Sequence, residues 1–261
     1  MIKFTKMHGL GNDFIVINNL DNQFTMEKFP VRELSHRFSG IGFDQLLLIE
    51  KSTKADVACR IYNSDGSEAE QCGNGMRCVA RFLHEEKFIN KNSLSIETKA
   101  GIIEAKIKDY DAIEIAMGAP EILPPLDMLL DTYALKLSVI SMGNPHAILK
   151  VVSAANSPVQ SLGQQISTHS YFPNGTNVGF MEIVNREHIR LRTYERGAGE
   201  TLACGSNACA AVVAGIQQNI LDNEVKVELA LGQLKISWQK NKSPVLMTGP
   251  ASRVFDGNIN N

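Results

Sequence analysis

The chain has 261 residues and a mass of 28.7 kDa, enough for one large domain or two of ordinary size. Hydrophobic residues make up 44% and charged residues 21%, a balance that excludes a disordered chain and suits a globular enzyme. Basic residues number 26 against 28 acidic ones, so no excess exists to neutralise a phosphate backbone, and no nucleic-acid partner is expected. The longest apolar run, 208–216, is too short to span a bilayer, and Lys3 and Lys6 stand where a signal peptide needs its apolar core. A cytoplasmic protein with no membrane partner follows as the expectation. Five cysteines, an odd number, argue against a disulfide framework, so each thiol is weighed as ligand, nucleophile, acid–base group or buried filler.

In chain order, alternating apolar positions predict strands over 2–6 and 13–18, and Pro30 lies near the start of a short helix. Two more strands end at Tyr62, and a loop leads to the segment QCGNGMRC and a helix over 73–86. Strands punctuated by Gly101 and a turn at 109–111 close this half. A domain boundary is expected near Gly118, before the segment between Pro120 and Pro125. The second half opens with strands over 135–141 and 147–151, and Pro158 starts its short helix. Further strands end at Tyr194, ACGSNAC leads to a helix over 205–218, and Gly232 and the stretch 240–243 punctuate the last strands.

The halves repeat. Cys72 and Cys204 lie 132 residues apart, and the same offset carries Tyr62 to Tyr194, Arg60 to Arg192, Glu68 to Glu200 and Gly11-Asn12 to Gly143-Asn144. It also relates the alternating segment 93–98 to 225–230. One offset recurring over so much chain reads as duplication: an α+β pair of pseudo-symmetric domains, with a cleft between them as the default ligand site.

Each cysteine of the pair precedes a glycine at a helix start. Unpaired N–H groups and the helix dipole favour an anion there, which is expected to lower the thiol pKa from about 8.5 toward neutrality. The N–H groups of Gly73, Asn74 and Gly75, and of Gly205, Ser206 and Asn207, suit a carboxylate for the same reason. A metal site is not expected. Cys78 falls about 240° round the helix from Cys72 and Cys209 about 140° from Cys204, so neither pair shares a face. Cys59, Cys78 and Cys209 read as small buried residues. A lone Cys72 or Cys204 would read the same way, but a duplicated cysteine at a glycine-led helix start does not. Nearby near-matches fail: 9–14 lacks the third glycine of a dinucleotide fingerprint, and Phe88 stands where a zinc protease would need its second histidine.

Two pseudo-symmetric thiols suit inversion of a stereocentre. One removes a proton from one face, and the other delivers a proton to the opposite face. The pair then titrates as a unit, one thiolate and one thiol, and the reverse reaction exchanges their states. The α-proton of an amino acid is weakly acidic, so helix N-termini at the α-carboxylate would supply the electrostatic help.

The motifs KMHGLGNDF (6–14), GFDQ (42–45), YNSDGSEAEQCGNGMRC (62–78), MGNPH (142–146), GTNVGF (175–180) and YERGAGETLACGSNAC (194–209) resemble the diaminopimelate epimerase family over essentially the whole chain. The resemblance implies two similar domains, each a strand barrel wrapped round its cysteine-bearing helix. They are 1–117 plus a returning tail at 251–261, carrying Cys72, and 118–250, carrying Cys204. It implies epimerisation of LL- and meso-diaminopimelate without pyridoxal phosphate or any other cofactor, in lysine and peptidoglycan-precursor synthesis, by a homodimer. Cys72 and Cys204 would be the acid–base pair, with Glu195 and His146 beside the reacting centre, contacting the amino group or orienting the thiols. Gly73, Asn74, Gly205 and Ser206 would hold the reacting carboxylate, and Asn12, Gln45, Asn63, Asn144, Asn177 and Arg196 would line the pocket, several at the distal end. A guanidinium there would pair with the distal carboxylate, and the amides would serve a zwitterion.

At the 132 offset Phe14 corresponds to His146 and Asn63 to Glu195, so symmetry breaks where the two ends of such a substrate differ. Taken singly, the asparagines are ordinary turn residues, His146 a loop histidine and Arg196 a solvated charge. The alternative is another cofactor-independent racemase or isomerase on this scaffold. Proline racemases lack the GNGMRC and GSNAC contexts, and the phenazine-biosynthesis isomerases do not keep the paired cysteines. A thiol-based metal or redox protein and a catalytically dead binding module are the readings from other classes.

Overall fold

A computed structural model describes residues 1–130, 133–241 and 243–259 of the chain. Two compact units divide it: 1–115 with 249–261, and 116–248.

In the first unit, Ile2–Gly9 runs antiparallel to Asn12–Asn18, which lies parallel to Gln45–Glu50. Val57–Asn63 follows antiparallel, and Ser93–Thr98 adds parallel to it before the hairpin to Gly101–Asp109. The central strands are buried on both faces, and Ile15, Ile17, Leu46 and Leu48 of one face form a core with Phe4 and Phe43. Helix α1 is a single short turn over Val31–Ser35 behind Pro30, and α2 spans Gly73–Glu85. The strands Ile2–Gly9, Asn12–Asn18, Gln45–Glu50 and Gly101–Asp109 all pack on α2, so the sheet surrounds this helix.

The second unit repeats the plan in register. Tyr133–Ser141 pairs antiparallel with Pro145–Val151, which lies parallel to Asn177–Asn185, with His188–Glu195 antiparallel after it. Phe14 pairs with Gln45 and Gln45 with Asn63; 132 residues on, His146 pairs with Asn177, and the strand pair that joins Val178 to Tyr194 sets Asn177 beside Glu195. Helix α3 spans Val159–Ser167 and α4 Gly205–Gln217. From Asn207 to Ile216, α4 is buried on every side, which its Ala- and Val-rich sequence permits.

Two features escape sequence periodicity. Glu121–Leu130 is a strand despite Pro124 and Pro125, and it pairs antiparallel with Tyr133–Ser141. The prolines fall at a register shift between Leu137 and Val139, where the ladder needs no N–H from either. In the first unit the C-terminal strand Ser252–Ile259 takes the equivalent place beside Ile2–Gly9. Arg77, fully buried on α2, donates from Nε to Pro250 O at 2.9 Å and anchors the chain before that strand. The second departure is a slip of the repeat. The strand after α4 is Glu224–Leu229, so Ser93–Thr98 maps onto it at an offset of 131 rather than 132. Val57 pairs with Ile96 and Ile189 with Val227, so the connection after the second helix is one residue shorter while the pairing is kept. No helix among the described residues is long and apolar enough to cross a membrane.

Candidate active site

Each unit carries a cluster of polar side chains around a cysteine at the start of its buried helix. In the first, Cys72 is the N-cap of α2, with extended φ −148° and ψ 102°, and its Sγ accepts from Gly75 N–H at 3.4 Å. The thiol in turn reaches Asn12 Oδ1 at 3.7 Å, an oxygen that also accepts from Asn74 Nδ2 at 3.2 Å. Asn12 is fixed from behind, since its Nδ2 donates to Asp44 Oδ2 at 2.9 Å. Asp44 is held by Arg37 at 2.7 Å, and the same guanidinium bonds Asp13 at 2.9 Å. Burial works to raise the Asp13 carboxyl, but hydrogen bonds from Arg37 and Lys6 outweigh it and keep it below the usual carboxylate range. On the neighbouring strands, Gln45 Nε2 donates to Asn63 Oδ1 at 2.9 Å and Asn63 Nδ2 donates to Ser67 Oγ at 3.0 Å. Gln45 Oε1 is left buried with no hydrogen-bond partner, an acceptor available to a ligand.

In the second unit, Cys204 is the N-cap of α4, with φ −119° and ψ 109°, and its Sγ lies 3.5 Å from Ser206 Oγ. Here the expected lowering of the thiol pKa does not occur. Burial pushes the Cys204 thiol well above its ordinary value, the Glu195 charge pushes the same way, and Ser206 and the Asn207 N–H oppose them without prevailing. Helix-start stabilisation of the thiolate is smaller than the desolvation of a thiol that is 6% exposed, so Cys204 rests as the neutral acid. Glu195 is oriented by Thr201, whose Oγ1 donates to Oε1 at 2.5 Å. His146 is fully buried at the head of its strand and bonds Asn144 Oδ1 through Nε2 at 3.0 Å. Burial, first, and the Arg196 charge press its pKa down to about 3 against an upward pull from the Asn207 side chain, so the imidazole is neutral. Asn177 Oδ1 accepts from Arg196 N–H at 3.0 Å, and Arg196 Nη1 donates to Asn174 O at 3.0 Å.

The structure thus gathers Asn12, Gly73 and Asn74 about Cys72, with Gln45 and Asn63 paired beside them, and sets Glu195, Gly205 and Ser206 about Cys204, with His146, Asn144, Asn177 and Arg196 in the same unit. Asp44, Arg37 and Thr201 support these residues and were not singled out from sequence, and Asn207 was singled out for its N–H but not for its side chain. Asp44, Thr201 and Asn207 do lie inside the quoted motifs, where their place between named residues was the available signal. Cys59 and Cys78 are buried thiols whose pKa values burial raises, that of Cys78 to about 12, as suits inert filler. All five cysteines are thiols, and among the described residues no group of three or more His, Cys, Asp or Glu is placed to hold a metal ion.

Duplicated α+β units with a cysteine at the head of each central helix define an epimerase-type isomerase fold, and the comparisons agree. The chain is similar in fold to a PhzF-family phenazine biosynthesis protein of Bacillus anthracis (TM-score 0.79, 18% identity, 99% of this chain and 98% of that one). A probable proline racemase of Agrobacterium radiobacter shares it as well (TM-score 0.74, 16% identity, 100% of this chain and 93% of that one). The diaminopimelate epimerase family model matches residues 4–123 and 138–254. The diaminopimelate epimerase of Stutzerimonas stutzeri is 45% identical over 273 residues, covering 99% of both chains, and that of Nitrosospira multiformis is 46% identical over 271, covering 99% of this chain and 98% of the other. The chain belongs to the diaminopimelate epimerase family, whose named relatives are isomerases.

Proposed function

We propose that the protein interconverts LL- and meso-diaminopimelate, with Cys72 and Cys204 as the two acid–base groups and without pyridoxal phosphate or a metal. The observation that carries this reading is the repeated one: each unit caps its buried helix with a cysteine, while the strand position beside it carries Asn63 in one unit and Glu195 in the other. In one direction a thiolate removes the α-proton and the opposite thiol delivers a proton to the other face. The carbon returns to sp³ with inverted configuration and the two sulfurs exchange protonation states. The raised pKa of Cys204 suits the donating partner, and the reverse reaction begins with the roles exchanged. Helix-start N–H groups around Gly73, Asn74, Gly205 and Ser206 stabilise the charge that develops on the reacting carboxylate. Arg196 with Asn12, Gln45, Asn63, Asn144 and Asn177 recognises the remaining polar groups, and the Glu195/Asn63 asymmetry distinguishes the reacting end from the distal one.

In this reading the domains are 1–117 with 251–261, and 118–250. The enzyme acts as a cytoplasmic homodimer in lysine and peptidoglycan-precursor synthesis. Incubation with LL-diaminopimelate in D2O tests the assignment: deuterium enters the α-position as meso product forms. Absence of exchange from folded, reduced protein contradicts it.

A further inference from the structure

A polar cluster in the second unit has no counterpart in the first. At equivalent places of the repeat, Phe14, Leu47, Ile61 and Gly75 in the first unit become His146, Gly179, Thr193 and Asn207 in the second. The strand registers confirm the correspondence, since Leu47 pairs with Ile61 and Gly179 with Thr193. The exchange is complementary in shape as well as polarity. A Cβ on Gly75 would meet Leu47 Cδ2 at 3.0 Å, whereas a Cβ on Gly179 would meet Asn207 Oδ1 at 2.8 Å. The bulk moves from strand to helix, and with it an apolar contact becomes an amide.

That amide and its neighbour are unsettled as oriented. Asn207 and His146 are both 0% exposed. Asn207 Nδ2 donates to Thr193 Oγ1 at 3.0 Å, which leaves Asn207 Oδ1 buried with no hydrogen-bond partner. His146 Nδ1 is likewise buried and unpartnered, although the Asn207 side chain lies near enough to act on the imidazole. Both faults have one cause. Nε2 of His146 lies 3.0 Å from Asn144 Oδ1, so with that amide oriented as the structure has it the ring proton belongs on Nε2, and the buried Nδ1 is an acceptor in need of a donor. The two ends of a carboxamide are alike in shape, so turning it over changes no packing. Oδ1 is then set to accept the Thr193 hydroxyl proton, and Nδ2 becomes the donor that the buried Nδ1 of His146 lacks.

We propose that Asn207 is a positioning residue. Through the relay Thr193 → Asn207 → His146 → Asn144 it fixes the imidazole as the neutral Nε2–H tautomer and holds Asn144 by its oxygen, so that the Asn144 NH2 is the end offered to an anionic group such as a substrate carboxylate. The function of the relay rests on the reading of His146 and Asn144 as site residues. Its hydrogen-bond polarity does not. His146 is then no proton carrier, because both of its nitrogens are committed, and the depressed pKa set by burial and Arg196 agrees. Asn207 is also the third residue of α4, so the helix that presents Cys204 carries the residue that sets the histidine.

Nitrogen NMR of the full-length protein labelled with 15N-histidine reads the tautomer without substrate. The wild type is expected to show His146 as neutral Nε2–H from about pH 5 to 9. Asn207→Asp, isosteric but able only to accept, is expected to move a proton onto Nδ1, and to lower kcat about tenfold or more with the thermal midpoint kept. Thr193→Val removes the hydroxyl that orients the amide and is expected to mix the tautomers, which keeps the test open should Asn207→Asp not fold. A wild-type His146 that carries its proton on Nδ1, or a tautomer unchanged in the variants, overturns the proposal. Loss of the D2O exchange in the wild type would overturn the diaminopimelate reading and leave the tautomer result standing.

Discussion

Gly179 lies so close to Asn207 that a Cβ on the glycine would stand 2.8 Å from Oδ1 of the amide. A methyl group there also meets Ile148 Cδ1 at 2.9 Å, and both neighbours are confined by the core. Gly179→Ala is therefore expected to cost about 1–3 kcal/mol in urea unfolding. The equivalent contacts in the first unit are longer, 3.0 Å to Leu47 Cδ2 and 3.3 Å to its Cδ1, and alanine favours a helix over glycine. Gly75→Ala is expected to change stability by less than about 1 kcal/mol, so equal losses at both sites would contradict the packing argument.

Acid lability follows from His146. The unfolded chain takes a proton on this residue near pH 6.5 and the folded chain only near pH 3, so the unfolded state binds more protons throughout that window. Stability falls as pH falls through it, by about 2 kcal/mol between pH 7 and 5 from this group alone. His146→Gln removes that component, whatever its effect at neutral pH. Unfolding curves of the two proteins at both pH values check this, and parallel losses would show that His146 does not carry it.

Glu195 raises the Cys204 thiol by its charge, second to burial. Glu195→Gln removes the charge and keeps the shape, so the thiol pKa is expected to fall while staying above the ordinary cysteine value. Thiolate ultraviolet absorbance during a pH titration, in a Cys72→Ala background, reads the change. The proposed epimerisation should slow about a hundredfold or more in Glu195→Gln with Cys72 intact. An unchanged titration would mean that the carboxylate does not act on this thiol.

Much of this arrangement was legible in the sequence because a duplication writes its equivalences as a constant offset. Cys72 and Cys204 stood out by recurring, and their glycine-led helix starts are found where the spacing put them. Periodicity failed at Glu121–Leu130, where Pro124 and Pro125 read as a break because a strand proline is tolerated only where the ladder omits its N–H. The offset also hid its one-residue slip before Glu224, since alternation survives a shift by one only when the pairing shifts with it. The thiol electrostatics were misjudged from sequence for a different reason. A helix start is visible in a string of residues, but the burial that outweighs it at Cys204 is a property of the packed unit. Asn207 lay in plain view in GSNAC, yet its partners Thr193, His146 and Gly179 come from two other strands and one strand start.

The central claim is that two thiols, one from each repeat, carry the proton transfers. It is tested most directly by following the α-proton of LL-diaminopimelate in D2O by NMR, using reduced, metal-free protein with no pyridoxal phosphate added, beside Cys72→Ala and Cys204→Ala. The account predicts deuterium incorporation with meso product in the wild type and loss of epimerisation in both variants. Epimerisation that survives in either folded variant would contradict it.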